Sequence, residues 1–197
     1  MSHAGSGIVN RLRRVLDERA QVYRRMGECA ESLAELVAAG VSCLRSGGQI
    51  IFCGNGGSAA QADHLAAELV GRYQLERPAF RALALASAGA ALTSIGNDYG
   101  FDEVFARQVQ GLARPGDLLI ALSTSGRSPN IHKALKTARD HRCTTALLTG
   151  AHSRDEFPPV DRLLAVPSTQ TPVIQEMHLL LGHLLCESIE AEMMERL

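Results

Sequence analysis

The sequence predicts an α/β fold, a three-layer sandwich with a five-stranded parallel sheet between layers of helices. Two observations carry this expectation. Five short apolar runs alternate with longer stretches whose apolar residues recur at helical spacing. The short runs are also nearly unbroken, as strands buried on both faces must be. With 197 residues, 46% of them hydrophobic and 21% charged, the chain has the size and balance of one globular domain.

From Ile8 to about Arg45, residues Leu12, Val15, Leu16, Val22, Met26, Ala30, Leu33, Val37, Val41 and Leu44 keep the helical period. That stretch is too long for one capped helix, so two helices with a bend near Gly27 are expected, ending at Ser46-Gly47-Gly48. Gln49 to Cys53 reads as the first strand, followed by a glycine-rich turn and a helix from about Ala59 to Tyr73. Arg81 to Ala86 is the second strand and Phe101 to Leu112 a helix. After the turn Arg114-Pro115-Gly116-Asp117 come a buried strand (Leu118 to Leu122), a helix (Asn130 to His141) and a strand (Thr144 to Leu148). An exposed loop over 153–159 precedes the fifth strand, Arg162 to Val166, and a long helix from about Pro172 to Met194. That helix is apolar almost all round (Ile174, Met177, Leu180, Leu181, Leu184, Leu185, Ile189, Met193), so it must be buried. A subunit interface is the simplest place for it.

Composition excludes several classes of partner. A net charge of −1 exerts no pull toward nucleic acid, and the 4% aromatic content without Trp provides no base-stacking platform. The arginines near the start (Arg11, Arg13, Arg14, Arg24, Arg25) alternate with Asp17, Glu18 and Glu28, which describes a solvated helix face. Cys29, Cys43, Cys53, Cys143 and Cys186 are dispersed, with no CxxC pair, which suggests free thiols in a reducing compartment. The opening residues lack the charged-then-apolar pattern of a secretion signal, and no run approaches the roughly twenty apolar residues of a membrane span. A cytoplasmic protein that does not engage membranes is expected.

In open α/β sheets, ligands bind beyond the carboxyl ends of the strands. The segments there are Gly54-Asn55-Gly56-Gly57-Ser58, then Ser94-Ile95-Gly96-Asn97-Asp98, then Ser123-Thr124-Ser125-Gly126-Arg127-Ser128. The first matches the G-x-G-x-x-A form of a dinucleotide fingerprint, but no acid ends the next strand (Ala84-Leu85-Ala86-Ser87-Ala88) to hold a ribose. A nicotinamide cofactor is therefore not expected, and no Walker-type loop is present, since no G-x-x-x-x-G-K-[ST] occurs. The third segment concentrates Ser123, Thr124, Ser125 and Ser128 at a helix N-terminus, where backbone N–H groups favour an anion. Helix capping by Ser128 before Pro129 accounts for one hydroxyl, not for four.

His64 and Glu68, four residues apart, share one helix face, as a metal pair or an acid/base pair requires; an exposed His–Glu pair is the commoner meaning of this spacing. Gln175, His178 and His183 on the last helix are possible partners, although His178 also reads as a core histidine. Gln175 and His183 are about 12 Å apart along a straight helix. They reach one metal only if it lies between them or if different subunits supply them.

These segments, with Gly71-Arg72-Tyr73, Gly96-Asn97-Asp98-Tyr99-Gly100 and Ile174-Gln175-Glu176-Met177-His178, resemble the bacterial phosphoheptose isomerases of the sugar isomerase (SIS) superfamily. The resemblance runs from about residue 10 through almost the whole chain. It implies a flavodoxin-like core over 46–197, with 1–45 as a helical oligomerisation segment of the same structural domain. It also implies a homotetramer with sites between subunits, its long terminal helices in the contacts. One zinc ion per subunit, held by His64, Glu68, Gln175 and His183, is implied as well. The phosphate would be gripped by Ser58, Ser123, Thr124, Ser125 and Ser128. The sugar would be lined by Asn55, Gly56, Gly57, Asn97, Asp98, Glu68 and Gln175, with Arg72 a secondary candidate. Pro172-Val173 replaces a polar pair common before Gln175 in relatives; proline suits a first helical turn.

The implied reaction turns sedoheptulose 7-phosphate into an aldose phosphate through an enediol, with Glu68 as base at C1 and His183 as acid/base at the oxygens. The product would feed nucleotide-activated heptose synthesis for bacterial surface polysaccharide such as lipopolysaccharide. The competing expectation is a non-catalytic SIS protein that binds a phosphosugar or a protein partner, of the kind that associates with the replication initiator.

Overall fold

The computed structural model describes residues 3–152 and 157–195, so residues 153–156 of the expected exposed loop lie outside it. The N-terminal repeat forms α1 (His3–Arg25) and α2 (Ala30–Arg45), separated by a 3-10 turn (Met26–Cys29) that contains Gly27. Then follow β1 (Ile50–Gly54), α3 (Gly57–Val70), β2 (Ala82–Ala84), α4 (Gly89–Tyr99), α5 (Ala106–Leu112) and β3 (Leu118–Leu122). The chain continues through α6 (Pro129–Asp140), β4 (Thr144–Thr149), β5 (Arg162–Ala165) and α7 (Thr171–Met194).

Three elements differ from expectation. The strand expected over Arg81 to Ala86 is shorter, β2 being Ala82–Ala84, and Leu85–Ser87 form a 3-10 turn. The segment around Ser94 to Asp98 is helical, because α4 occupies it; it has no buried residue, and Leu92 and Ile95 are only partly buried against the core, so its apolar signal is faint. The helix expected over Phe101 to Leu112 is a 3-10 turn (Phe101–Glu103) followed by the short α5.

All strand pairs are parallel, in the order β2-β1-β3-β4-β5. Alternate strand residues feed two cores. Ile50, Phe52, Leu118, Ile120 and Leu148 pack with Leu36 of α2, Leu65 of α3 and Leu181 and Ile189 of α7. Ile51, Cys53, Leu119, Ala121 and Leu147 pack with Val109 of α5 and Ile131 and Leu135 of α6. Each fully buried leucine or isoleucine stabilises the fold by about 1.5–3 kcal/mol.

The apolar final helix finds its cover mainly within its own chain, between α2 and α3, where Ile174, Leu181, Leu185, Cys186 and Ile189 are all buried. On α1, by contrast, Ile8, Leu12, Leu16 and Tyr23 are each more than half exposed, while Arg14–Glu18 and Arg25–Glu28 pair on its solvated face. The five cysteines are buried free thiols. Among the described residues no helix is long and apolar enough to cross a membrane.

Candidate active site

The sheet changes direction between β1 and β3: β2 lies on one side of β1 and β3 on the other. The helices that follow, α3 and α6, cover opposite faces, so their loops diverge and open a crevice at the carboxyl edge. Gly54 and Leu122 are opposite in register, so the glycine-rich loop and the serine loop start side by side. Asn55 and Asn130 tie them together. Asn55 Nδ2 donates to Asn130 Oδ1 at 2.9 Å, and Asn130 Nδ2 returns a bond to Asn55 Oδ1 at 2.8 Å.

In the serine loop, Ser123 Oγ accepts the Gly126 N–H and Ser125 Oγ accepts the Arg127 N–H, each at 3.2 Å. A hydroxyl that accepts a bond keeps its own proton to donate. The Thr124 carbonyl accepts from His152 Nε2 at 2.9 Å, which anchors the loop from behind. Ser128 stands at the N-cap of α6, yet its side chain makes no capping bond and Pro129 opens the helix. Capping therefore does not account for the Ser128 hydroxyl. Ser58 is buried in the first turn of α3.

The imidazoles meet where α3 and α7 run side by side. Gly182 permits the approach, since a Cβ there would stand 2.5 Å from both terminal methyls of Leu65. One residue on, His183 Nε2 lies 2.8 Å from His64 Nε2, and Glu68 Oε1 lies 3.5 Å from the same His64 nitrogen. Glu68 and His183 thus share one imidazole neighbour within a single chain. The Tyr73 ring tilts against His183 with 5.8 Å between centroids.

Gln175 falls nearer the start of α3. Its carboxamide fills the space a Cβ on Gly57 would take, 2.6 Å from Nε2, and its carbonyl accepts from Gln61 Nε2 at 2.7 Å. The eight-residue spacing therefore resolves into two contacts at two levels of α3. Among the described residues no group of three or more His, Cys, Asp or Glu side chains is arranged to hold a metal ion. His64 has His183 and Glu68 as separate neighbours, and imidazole and carboxylate are donor types that a borderline cation such as zinc accepts.

Asn97 and Asp98 are exposed on α4, where Asn97 Nδ2 donates to Asp98 Oδ1 at 2.8 Å. Arg72 points outward and pairs with Glu76 at 3.8 Å. His178 is the core histidine of the two readings: it is fully buried, its Nε2 is 3.3 Å from the Thr149 carbonyl oxygen, and burial lowers its pKa to about 4. From sequence, Asn130 is assigned no part in the site, and Tyr73 figures only within the Gly71-Arg72-Tyr73 motif. An asparagine just inside the first turn of α6 was the available signal for Asn130, because that residue type is a weak helix former.

The SIS domain family matches residues 16–150, which places the protein in that class. A phosphoheptose isomerase from Bradyrhizobium sp. strain BTAi1 is 52% identical over 184 residues, covering 90% of this chain and 93% of the relative. A solved phosphoheptose isomerase from Neisseria gonorrhoeae superposes with a TM-score of 0.86 at 38% identity, covering 93% of this chain and 99% of that one. Another from Francisella tularensis gives 0.88 at 34% identity, with 93% and 98% covered. Within the SIS class, the chain belongs to the phosphoheptose isomerase family.

Proposed function

We propose that the protein interconverts sedoheptulose 7-phosphate and D-glycero-D-manno-heptose 7-phosphate, an aldose–ketose isomerisation that starts heptose precursor synthesis for bacterial surface polysaccharide. The observation that carries the reading is the meeting of Glu68, His64 and His183 on two helices, one of which leaves the crevice formed by the bonded Asn55 and Asn130 loops. Identity of 52% to a phosphoheptose isomerase supports the enzyme over a non-catalytic phosphosugar or protein binder.

Ser58 and the hydroxyls of Ser123, Thr124, Ser125 and Ser128 bind the phosphate, aided by the N-terminus of α6. Asn55, Gly56, Gly57 and Gln175 line the sugar, with Asn97 and Asp98 reaching it from α4. Fixing the phosphate orients the far end of the substrate against the reacting side chains. Glu68 takes the C1 proton and delivers it to C2 after the enediol has formed. His183 moves the proton between O1 and O2. His64, Glu68 and His183 would hold a zinc ion, one per subunit; Gln175, which packs at Gly57 two turns away on α3, would join them only if it came from another subunit. The chemistry zinc supplies when bound is polarisation of the substrate carbonyl.

The exposed apolar stripe of α1 supports a role for residues 1–45 in oligomerisation, and the assembly proposed is a homotetramer. A cytoplasmic location fits a biosynthetic enzyme with free thiols.

Substitution Glu68→Gln tests the assignment. It keeps the shape and removes the base, so turnover falls by about two to four orders of magnitude while the melting temperature is retained. Turnover near the parental level would remove Glu68 as the base.

A further inference from the structure

A buried ion pair lies behind the imidazole–carboxylate group and takes no part in the roles above. Arg77, in the loop after α3, and Glu190, on α7, have side chains 0% and 2% exposed, with Arg77 Nε donating to Glu190 Oε1 at 2.8 Å. Glu190 also accepts the consecutive backbone N–H groups of Tyr73, Gln74 and Leu75 at 3.0, 2.8 and 2.8 Å. The guanidinium bonds the carbonyls of Glu68 and Leu69, both at 3.0 Å, and of Pro78 at 3.1 Å, while stacking 3.9 Å over the Phe80 ring.

The carbonyls at a helix C-terminus have no partner within the helix, and a cation is favoured there. Arg77 therefore caps the last turn of α3, the turn that carries Glu68. Glu190 fixes the backbone of Tyr73, whose ring rests on His183. Glu190 is itself two helical turns beyond His183 on α7. One ion pair thus reaches both halves of the proposed acid/base pair without touching either side chain. The charge–charge contact by itself is often no better than an apolar pair of the same volume, so what the pair adds is the hold on the backbone groups it bonds at the end of α3 and at Tyr73.

We propose that Arg77 and Glu190 are positioning residues that set the placement of Glu68 and His183 relative to each other. The proposal depends on the isomerase reading only for which groups react.

The test is the double variant Arg77→Met/Glu190→Leu, which replaces the pair with apolar groups and leaves no charge unpaired. The variant is expected to melt below the parent, because the backbone groups that the pair bonds lose their partners, and its kinetics are read at a temperature where it is fully folded. Its kcat for sedoheptulose 7-phosphate falls about tenfold or more, while KM changes less than about threefold, because the phosphate grip is remote. Arg77→Lys keeps the charge but not the planar fork, and its kcat falls between the two. A folded double variant with parental kcat would overturn the proposal, and so would parental kcat in Arg77→Lys should the double variant fail to fold. The ring NMR signals of Tyr73 and His183 in metal-free protein give a readout independent of turnover. They shift in the variants if the pair positions these rings, and unchanged signals would overturn the proposal. A parent without isomerase activity would sink the isomerase reading, and the ring signals would still decide the positioning role.

Discussion

The carboxamides of Asn55 and Asn130 bond each other twice across the point where the sheet changes direction. The bond joins the loop that opens α3 to the helix that follows the serine loop, so the groups proposed to line the sugar and to bind the phosphate keep a fixed spacing. Replacing Asn130 by Leu leaves the Asn55 amide without its partner in a partly buried setting. A loss of about 1–3 kcal/mol in stability is expected. KM should rise more than kcat falls, since substrate placement is what the pair governs. Denaturant unfolding and steady-state kinetics read both effects, and an unchanged KM would contradict the role.

Gly182 sets how closely α7 approaches α3. Its missing Cβ would meet the buried Leu65 methyls at 2.5 Å, one residue before His183. Substitution Gly182→Ala overpacks this contact, at a cost of about 1–3 kcal/mol. It also pushes His183 away from His64, so turnover should fall even at temperatures where the variant is fully folded. A variant with lowered melting temperature but parental turnover would show that the helix spacing is not critical.

Stability should depend on pH through His178. Burial lowers its pKa to about 4, whereas the unfolded chain titrates near the ordinary 6.5. Between these values the unfolded state binds a proton that the folded state does not, so stability falls as pH drops through this window. The full effect is about 3 kcal/mol, present above pH 6.5 and lost near pH 4. Replacing His178 by Asn should flatten this part of the profile, measured by denaturant midpoints. An unflattened profile would place the acid sensitivity elsewhere.

The proposed zinc gives a fourth expectation. Dialysis against a chelator should abolish turnover, and added zinc should restore it in the parent but not in His64→Ala. Full activity in protein shown to be metal-free would make the ion incidental to the reaction.

The sheet and its edge were legible in the sequence because each buried strand is a bounded apolar run; Leu118–Leu122 emerges with the same limits. The bend near Gly27 was legible for the same kind of reason, since no capped helix continues so long. α4 was not legible: with no buried residue, it carries no strong amphipathic stripe. Within the candidate site, His64 and Glu68 are local and could be paired by counting four residues. The approach of His183 could not, because it depends on α7 packing beside α3 at Gly182, a contact between distant parts of the chain. Asn130, Arg77 and Glu190 were invisible for a related reason. Each is an ordinary polar residue until the fold buries it against a partner far away in sequence.

The most direct test of the isomerase account is incubation of the purified protein with sedoheptulose 7-phosphate, followed by NMR of the sugar. The account predicts that the C1 methylene signals of the ketose decline as anomeric signals of a heptose 7-phosphate grow to equilibrium, and that Glu68→Gln blocks the change. Sedoheptulose 7-phosphate that binds, yet remains unconverted by zinc-loaded parent protein, would contradict it.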